Sequence, residues 1–151
     1  MKNSLLSINS FHHSGNFDAA QIFLMFLGPN LTKLCLSHEK DVDVILKVIK
    51  SRRSTMKEIC FENCMITDGL LRYISLIKEL NLLSINLCSC SGFTYFGLRE
   101  FLKSQRNITK LDLQVDEEPL SDDILQAICE NLSKIRDLRL RIFDGSFTEV
   151  S

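Results

Sequence analysis

Six segments of the chain share one arrangement of apolar positions, apolar-x-x-apolar-x-apolar: Leu31/Leu34/Leu36, Met56/Ile59/Phe61, Leu82/Ile85/Leu87, Ile108/Leu111/Leu113, Ile135/Leu138/Leu140 and, in weaker form, Leu5/Ile8/Ser10. Their central positions, 8, 34, 59, 85, 111 and 138, are 26, 25, 26, 26 and 27 residues apart. Alternation over the last two apolar positions predicts a short strand with one buried face in each segment. Between these strands, apolar residues recur at spacings of three and four, as in Val44, Ile45, Val48 and Ile49. That spacing predicts helices over residues 17–27, 41–51, 68–79, 94–104 and 121–132, each with one apolar stripe. Asp41, Asp68, Thr94 and Ser121 stand where N-caps belong, and Pro29 with Asn30 breaks the chain after the first helix.

A strand and a helix repeated at a fixed step cannot bury their apolar faces alone. Stacked units can, with parallel strands on one side and helices on the other. Helices are wider than strands, so the expected stack curves with the sheet inside. The fold class read from the pattern is therefore α/β, a solenoid forming a horseshoe segment. Its short parallel strands line the concave face and its helices the convex one, joined by right-handed crossovers. Residues 1–151 read as a single domain of about five repeats, in which 1–30 is a degenerate first repeat and 141–151 a C-terminal tail.

Two units extend the pattern: Cys64 follows Phe61 by three residues, and Cys90 follows Leu87 likewise. Such a side chain is expected to turn inward and pack or hydrogen-bond against the backbone of the loop leaving the strand. Glu39, Asp116 and Phe143 occupy this place in the other units, so their loops are expected to differ. The run Cys64-Met65-Ile66-Thr67-Asp68-Gly69-Leu70-Leu71, echoed by Leu120-Ser121-Asp122-Asp123-Ile124-Leu125, resembles the cysteine-containing class of leucine-rich repeat. The resemblance covers nearly the whole chain as architecture. It extends to the repeat domain of F-box/leucine-rich-repeat proteins, the substrate receptors of cullin-type ubiquitin ligases. It implies a protein–protein interaction module that recognises substrates. No segment resembles the F-box itself, so the expectation is a piece or short form of a receptor, or a relative without ligase attachment. The alternative is the ligand-sensing or autoinhibitory repeat region of an intracellular nucleotide-binding immune receptor. That reading requires an upstream nucleotide-binding module, and a structural spacer would have no partner.

If Leu34 and Leu36 point inward, strand parity sends Lys33, Cys35 and Ser37 to the concave face. The same parity gives Glu58, Cys60 and Glu62; Ser84, Asn86 and Cys88; Lys110, Asp112 and Gln114; Asp137, Arg139 and Arg141, with Ser7, Asn9 and Phe11 opening the series. Of these, Lys33, Glu58, Glu62, Asn86, Lys110, Asp112, Arg139 and Arg141 are the candidate protein-binding residues. Arg139 and Arg141 lead, because arginine is over-represented in interface hot spots.

Composition narrows the partners. Eighteen Lys and Arg against nineteen Asp and Glu leave a net charge of −1, so no global field draws the chain to nucleic acid or an anionic membrane. The longest apolar run, residues 22–27, is too short for a bilayer, and the N-terminus lacks a signal-peptide core. The expected address is cytoplasmic or nuclear. Six cysteines inside an apolar pattern are expected to be reduced and to act as small hydrophobes. Asn30-Leu31-Thr32, Asn107-Ile108-Thr109 and Asn131-Leu132-Ser133 match the glycosylation sequon, but they fall where the repeat begins its strands.

Neither Cys60 with Cys64 nor Cys88 with Cys90 has zinc-ligand spacing, and His12, His13 and His38 lie in other units. No metal and no cofactor are expected. No phosphate loop, nucleophile elbow or H-E-x-x-H motif occurs, and Asp122 and Asp123 suit a helix start, so the chain reads as a non-enzyme. At the C-terminal end, Ile142, Phe143 and Phe147 follow the last strand without a recognisable cap. Exposed apolar surface there predicts self-association or a missing flanking domain.

Overall fold

The five triplets from Leu31 to Leu140 each carry their last two members on a strand. The computed structural model describes residues 9–14, 30–38, 42–115 and 122–142. They form β1 (Ser10–Ser14), β2 (Lys33–Ser37), α1 (Val42–Ser51), β3 (Glu58–Glu62), α2 (Asp68–Ser75), β4 (Ser84–Cys88), α3 (Tyr95–Ser104), β5 (Lys110–Val115), α4 (Asp122–Asn131) and β6 (Asp137–Ile142). The class is α/β: six strands in sequence order make one sheet, every pair is parallel, and helices alternate with the strands. The five central apolar residues are in mutual register, Leu34 on Ile59, Ile59 on Ile85, Ile85 on Leu111 and Leu111 on Leu138. The helix predicted over 17–27 lies outside the described residues. No helix among the described residues is long and apolar enough to cross a membrane.

The first strand departs from the reading of the sequence. Leu34 pairs with Phe11 and not with Ile8, so β1 begins at Ser10 and the row expected to open with Ser7 opens with Ser10. The hydrogen bonds give the reason. At the start of each strand one carbonyl accepts two successive amides of the next unit: Asn9 from Thr32 and Lys33, Thr32 from Lys57 and Glu58, Lys57 from Leu83 and Ser84, Leu83 from Thr109 and Lys110, Thr109 from Arg136 and Asp137. Asn9 holds the place of Thr32, and Phe11, packed against the core, follows two residues later.

The core lies between sheet and helices. All four complete triplets from Leu31 to Leu113 are buried, together with Ile45 and Ile49 of α1, Leu70, Leu71 and Ile74 of α2, and Leu98, Phe101 and Leu102 of α3. Ile135, Leu138 and Leu140, in the last described unit, are only partly buried. Phe143 and Phe147 lie outside the described residues.

Side chains stitch each unit to the next. Thr67, not Asp68, caps α2, its hydroxyl accepting from the Leu70 amide at 3.2 Å. Asp68 is thereby freed to reach the following unit, where its carboxylate accepts from the Thr94 amide and the Thr94 hydroxyl, both at 2.7 Å. Thr94 caps α3, as expected. Asp41 and Ser121 lie outside the described residues. At the far end of α3, buried Gln105 accepts from the Leu82 amide at 2.9 Å and donates to the Leu80 carbonyl at 3.4 Å. Asn107 donates to Asn81 at 2.8 Å and accepts from Lys134, which places three equivalent positions in a polar ladder. Of the sequon asparagines, Asn107 and Asn131 thus have engaged amide nitrogens, the latter on the Ala127 carbonyl.

Helix α2 stops at Ser75, four residues before the predicted end. Ile77, Leu80 and Leu82 are all buried, a spacing of three then two that a continued helix cannot direct to one side. The chain therefore leaves the helix and passes through Glu79 in left-handed backbone, with φ 70°.

Candidate interaction face

Parallel pairing in register converts strand parity into rows. The side of the sheet away from the core carries Ser10, Lys33, Glu58, Ser84, Lys110 and Asp137 in one row, and His12, Cys35, Cys60, Asn86, Asp112 and Arg139 in the next. A third contains Ser14, Ser37, Glu62 and Cys88, with Gln114 beside Arg141. All eight candidate binding residues lie on this one face.

The face is more internally satisfied than the sequence suggested. Lys33 pairs with Glu58 at 3.4 Å, and that carboxylate raises the Lys33 pKa above its ordinary value. Asp137 is shared by Lys110 at 3.7 Å and Arg139 at 3.6 Å. These pairs are near half-exposed and contribute little to stability. The fourth differs. Arg141 donates to Asp112 Oδ2 at 2.9 Å, and the Asp112 side chain is only 6% exposed. Asp112, expected as a surface contact, is therefore a buried carboxylate held by the arginine of the neighbouring strand, and Arg139 and Arg141 are both answered by acids. Glu62 accepts from the Ser37 hydroxyl at 3.2 Å and the Cys60 thiol at 3.6 Å.

Removing Arg141 strands the Asp112 charge. Because Arg141 is 43% exposed, solvent offsets part of the loss, and Arg141→Met should cost about 1 kcal/mol in urea unfolding. The double variant Arg141→Met with Asp112→Leu should recover most of it. Additive losses would show that the pair does not couple.

Short turns fix where each row ends. His38, Asn63 and Ser89, each one residue past its strand, have φ of 60°, 51° and 51°. The left-handed residue reverses the chain, and the next side chain then points inward: the Cys64 thiol donates to the carbonyls of Glu62 at 3.3 Å and Leu36 at 3.5 Å, and the Cys90 thiol to those of Phe61 at 3.3 Å and Cys88 at 3.5 Å. These two cysteines perform the expected role. Glu39, Asp116 and Phe143 lie outside the described residues.

All six cysteines are free thiols, and Cys35 and Cys60 are register neighbours. Burial pushes the thiols of Cys35, Cys60 and Cys88 above their ordinary value of 9.0, and Cys60 is raised further by Cys35 and Glu62 beside it. Folded-state values above the unfolded one mean that the unfolded chain loses these protons first. Stability from the thiols is fully present below about pH 9 and declines as pH rises past it. Urea midpoints should hold steady between about pH 7 and 8 and fall above 9, with a shallower fall once the three are replaced by alanine. Exposed Cys129 should be the first thiol to react with a disulfide reagent in the native state. Equal rates for Cys129 and Cys64 would contradict the buried setting of Cys64.

Among the described residues, no three His, Cys, Asp or Glu side chains converge as a metal site requires. No protein-family model matches the chain, and no curated protein matches it.

Proposed function

We propose that the chain is a protein-binding module, a leucine-rich-repeat solenoid whose sheet face forms the inside of a horseshoe and docks a protein partner. The observation that carries this reading is the exact reuse of one bonding scheme at each unit: the doubly accepting carbonyls at Asn9, Thr32, Lys57, Leu83 and Thr109, and the inward thiols of Cys64 and Cys90. Repetition of this kind is how solenoids bury a continuous core and leave a long polar face free. The Cys64–Asp68 run, with its inward thiol, Thr67 cap and Asp68 reaching the next unit, supports the likeness to cysteine-containing repeats. On that likeness the partner is a substrate recognised for a cullin-type ubiquitin ligase, and the module acts by binding, not by catalysis, in the cytoplasm or nucleus.

The test is affinity capture with the intact chain beside a Lys110→Glu/Arg139→Glu variant, followed by hydrogen exchange on the captured complex. The expected result is a partner that protects the amides of β2 to β6 and is lost with the variant, accompanied by ligase subunits. Protection confined to the helices would overturn the face assignment. A protected face without ligase subunits would remove the ligase and leave the binding module.

A further inference from the structure

The sheet face is not level. On β4 it carries only short side chains, Ser84, Asn86 and Cys88, all partly exposed. Register sets Glu58, Cys60 and Glu62 along one side and Lys110, Asp112 and, through the Cys88 thiol's bond to it at 3.0 Å, Gln114 along the other. The longer Glu58, Glu62, Lys110 and Gln114 thus surround a shallow trough whose floor is β4 together with the short Cys60 and Asp112 on either side of Asn86.

Two acceptors at this floor have no donor. Asn86 Oδ1 and Asp112 Oδ1 are both shielded from solvent and unpartnered, and their residues are register neighbours on adjacent strands. Asp112 is 4% exposed, and its other oxygen is committed to Arg141. On the β3 side Glu62 accepts only from neutral groups, Ser37 and Cys60, and forms no ion pair among the described residues. Elsewhere on the face charge is matched: Lys33 answers Glu58, Arg141 answers Asp112, and Lys110 and Arg139 share Asp137. The trough therefore combines unanswered negative charge with oxygens that lack N–H partners.

We infer that this trough receives an arginine side chain of the partner protein, its guanidinium donating to Asn86 Oδ1 and Asp112 Oδ1 while its charge faces Glu62. The inference rests on the sheet face being the docking face. A guanidinium presents five donors in a planar fork, which suits acceptors on strands about 4.8 Å apart. A lysine ammonium directs three donors from one point and spans that separation poorly. The apolar arginine stem packs over Cys60 and Cys88. Arg139, 57% exposed and held by a 3.6 Å ion pair to Asp137, is the side chain that shifts to admit the ligand, while Arg141 keeps its bond to Asp112 Oδ2.

The experiment is a nuclear magnetic resonance titration of the full chain with end-blocked Gly-Gly-Arg-Gly-Gly and with the same peptide carrying citrulline or lysine. The expected result is saturable shifts in the amides of β3 to β5 and in the Asn86 side-chain amide, with citrulline about tenfold weaker, a difference near 1.4 kcal/mol. Glu62→Gln and Asn86→Ala, both at part-exposed positions, should each weaken the arginine peptide severalfold, whereas Lys33→Met should not. Equal binding of arginine and citrulline peptides, shifts centred elsewhere, or both variants binding like the parent would overturn the inference. Its failure is separable from that of the docking reading: a captured partner that protects the face yet is held equally by Glu62→Gln and Asn86→Ala keeps the face and removes the arginine site.

Discussion

Truncating Ile85 to alanine should cost about 2–5 kcal/mol, the largest loss expected from a single substitution in this chain. Ile85 is 1% exposed and sits at the centre of β4, with Ile59 and Leu111 in register on either side and both fully packed. A side chain held from two strands and from the helix layer leaves a cavity that its neighbours cannot close without breaking the register that both flanking strands share. Leu138 offers the internal control. It occupies the same place on β6 but is only partly buried, and no described strand lies beyond it, so Leu138→Ala should cost clearly less. The measurement is urea unfolding at constant slope, read from the midpoints. A loss below about 1 kcal/mol for Ile85, or equal losses at both sites, would show that the central unit is not packed from both sides.

The alignment of the two sites was legible in the apolar triplets, whereas the partial burial of Leu138 that separates them was not. A fixed step of 25–27 residues is enough to align Leu34, Ile59, Ile85, Leu111 and Leu138, because each is the middle of an unambiguous triplet. The first unit has two competing alternations, Ile8 with Ser10 and Phe11 with its successors, and the constant step favours the wrong one. The structure resolves the competition through Asn9, whose carbonyl takes the paired amides of Thr32 and Lys33. A backbone acceptor leaves no trace in a hydrophobic pattern. The left-handed residues His38, Asn63 and Ser89 were equally silent, although their common place after the strand and the asparagine at 63 gave a faint signal.

The polar face was legible by parity and not by partner. Alternation alone put all eight candidate residues on one side. Which charge answers which depends on reach along and across strands: Arg139 is the direct neighbour of Asp112 yet pairs with Asp137 two residues back on its own strand, while Arg141, beside Gln114, reaches diagonally to Asp112. Long side chains on a sheet meet both direct and diagonal neighbours, so a list of residues by row leaves the pairing open. Burial was hidden for the same reason. Asp112 has the same parity as half-exposed Lys110, and parity does not reveal that Arg141 of the next strand reaches it or that its side chain is only 6% exposed.

The cross-unit cap supplies a prediction whose sign separates two principles. Gly97 lies in the first turn of α3, where replacing glycine by alanine in an exposed helix normally stabilises by about 1 kcal/mol. Here a Cβ at residue 97 would overlap the Asp68 carboxylate, which occupies that space in order to bond the Thr94 amide and hydroxyl. Alanine must therefore push Asp68 away, losing two charge-assisted hydrogen bonds between consecutive units and straining whatever contact replaces them. The net effect of Gly97→Ala should be a loss of about 2 kcal/mol despite the gain in helix propensity. With Asp68 already replaced by alanine the carboxylate is gone but the Cβ of residue 68 still lies 3.0 Å from the new one, so the same substitution should then cost little or nothing, its helix-propensity gain offset by that tight contact. Thermal or urea unfolding of the four proteins in this cycle measures both numbers. A stabilising Gly97→Ala in the parent chain would mean that Asp68 does not fill the space beside residue 97, and the link between the second and third helices would then have to lie elsewhere.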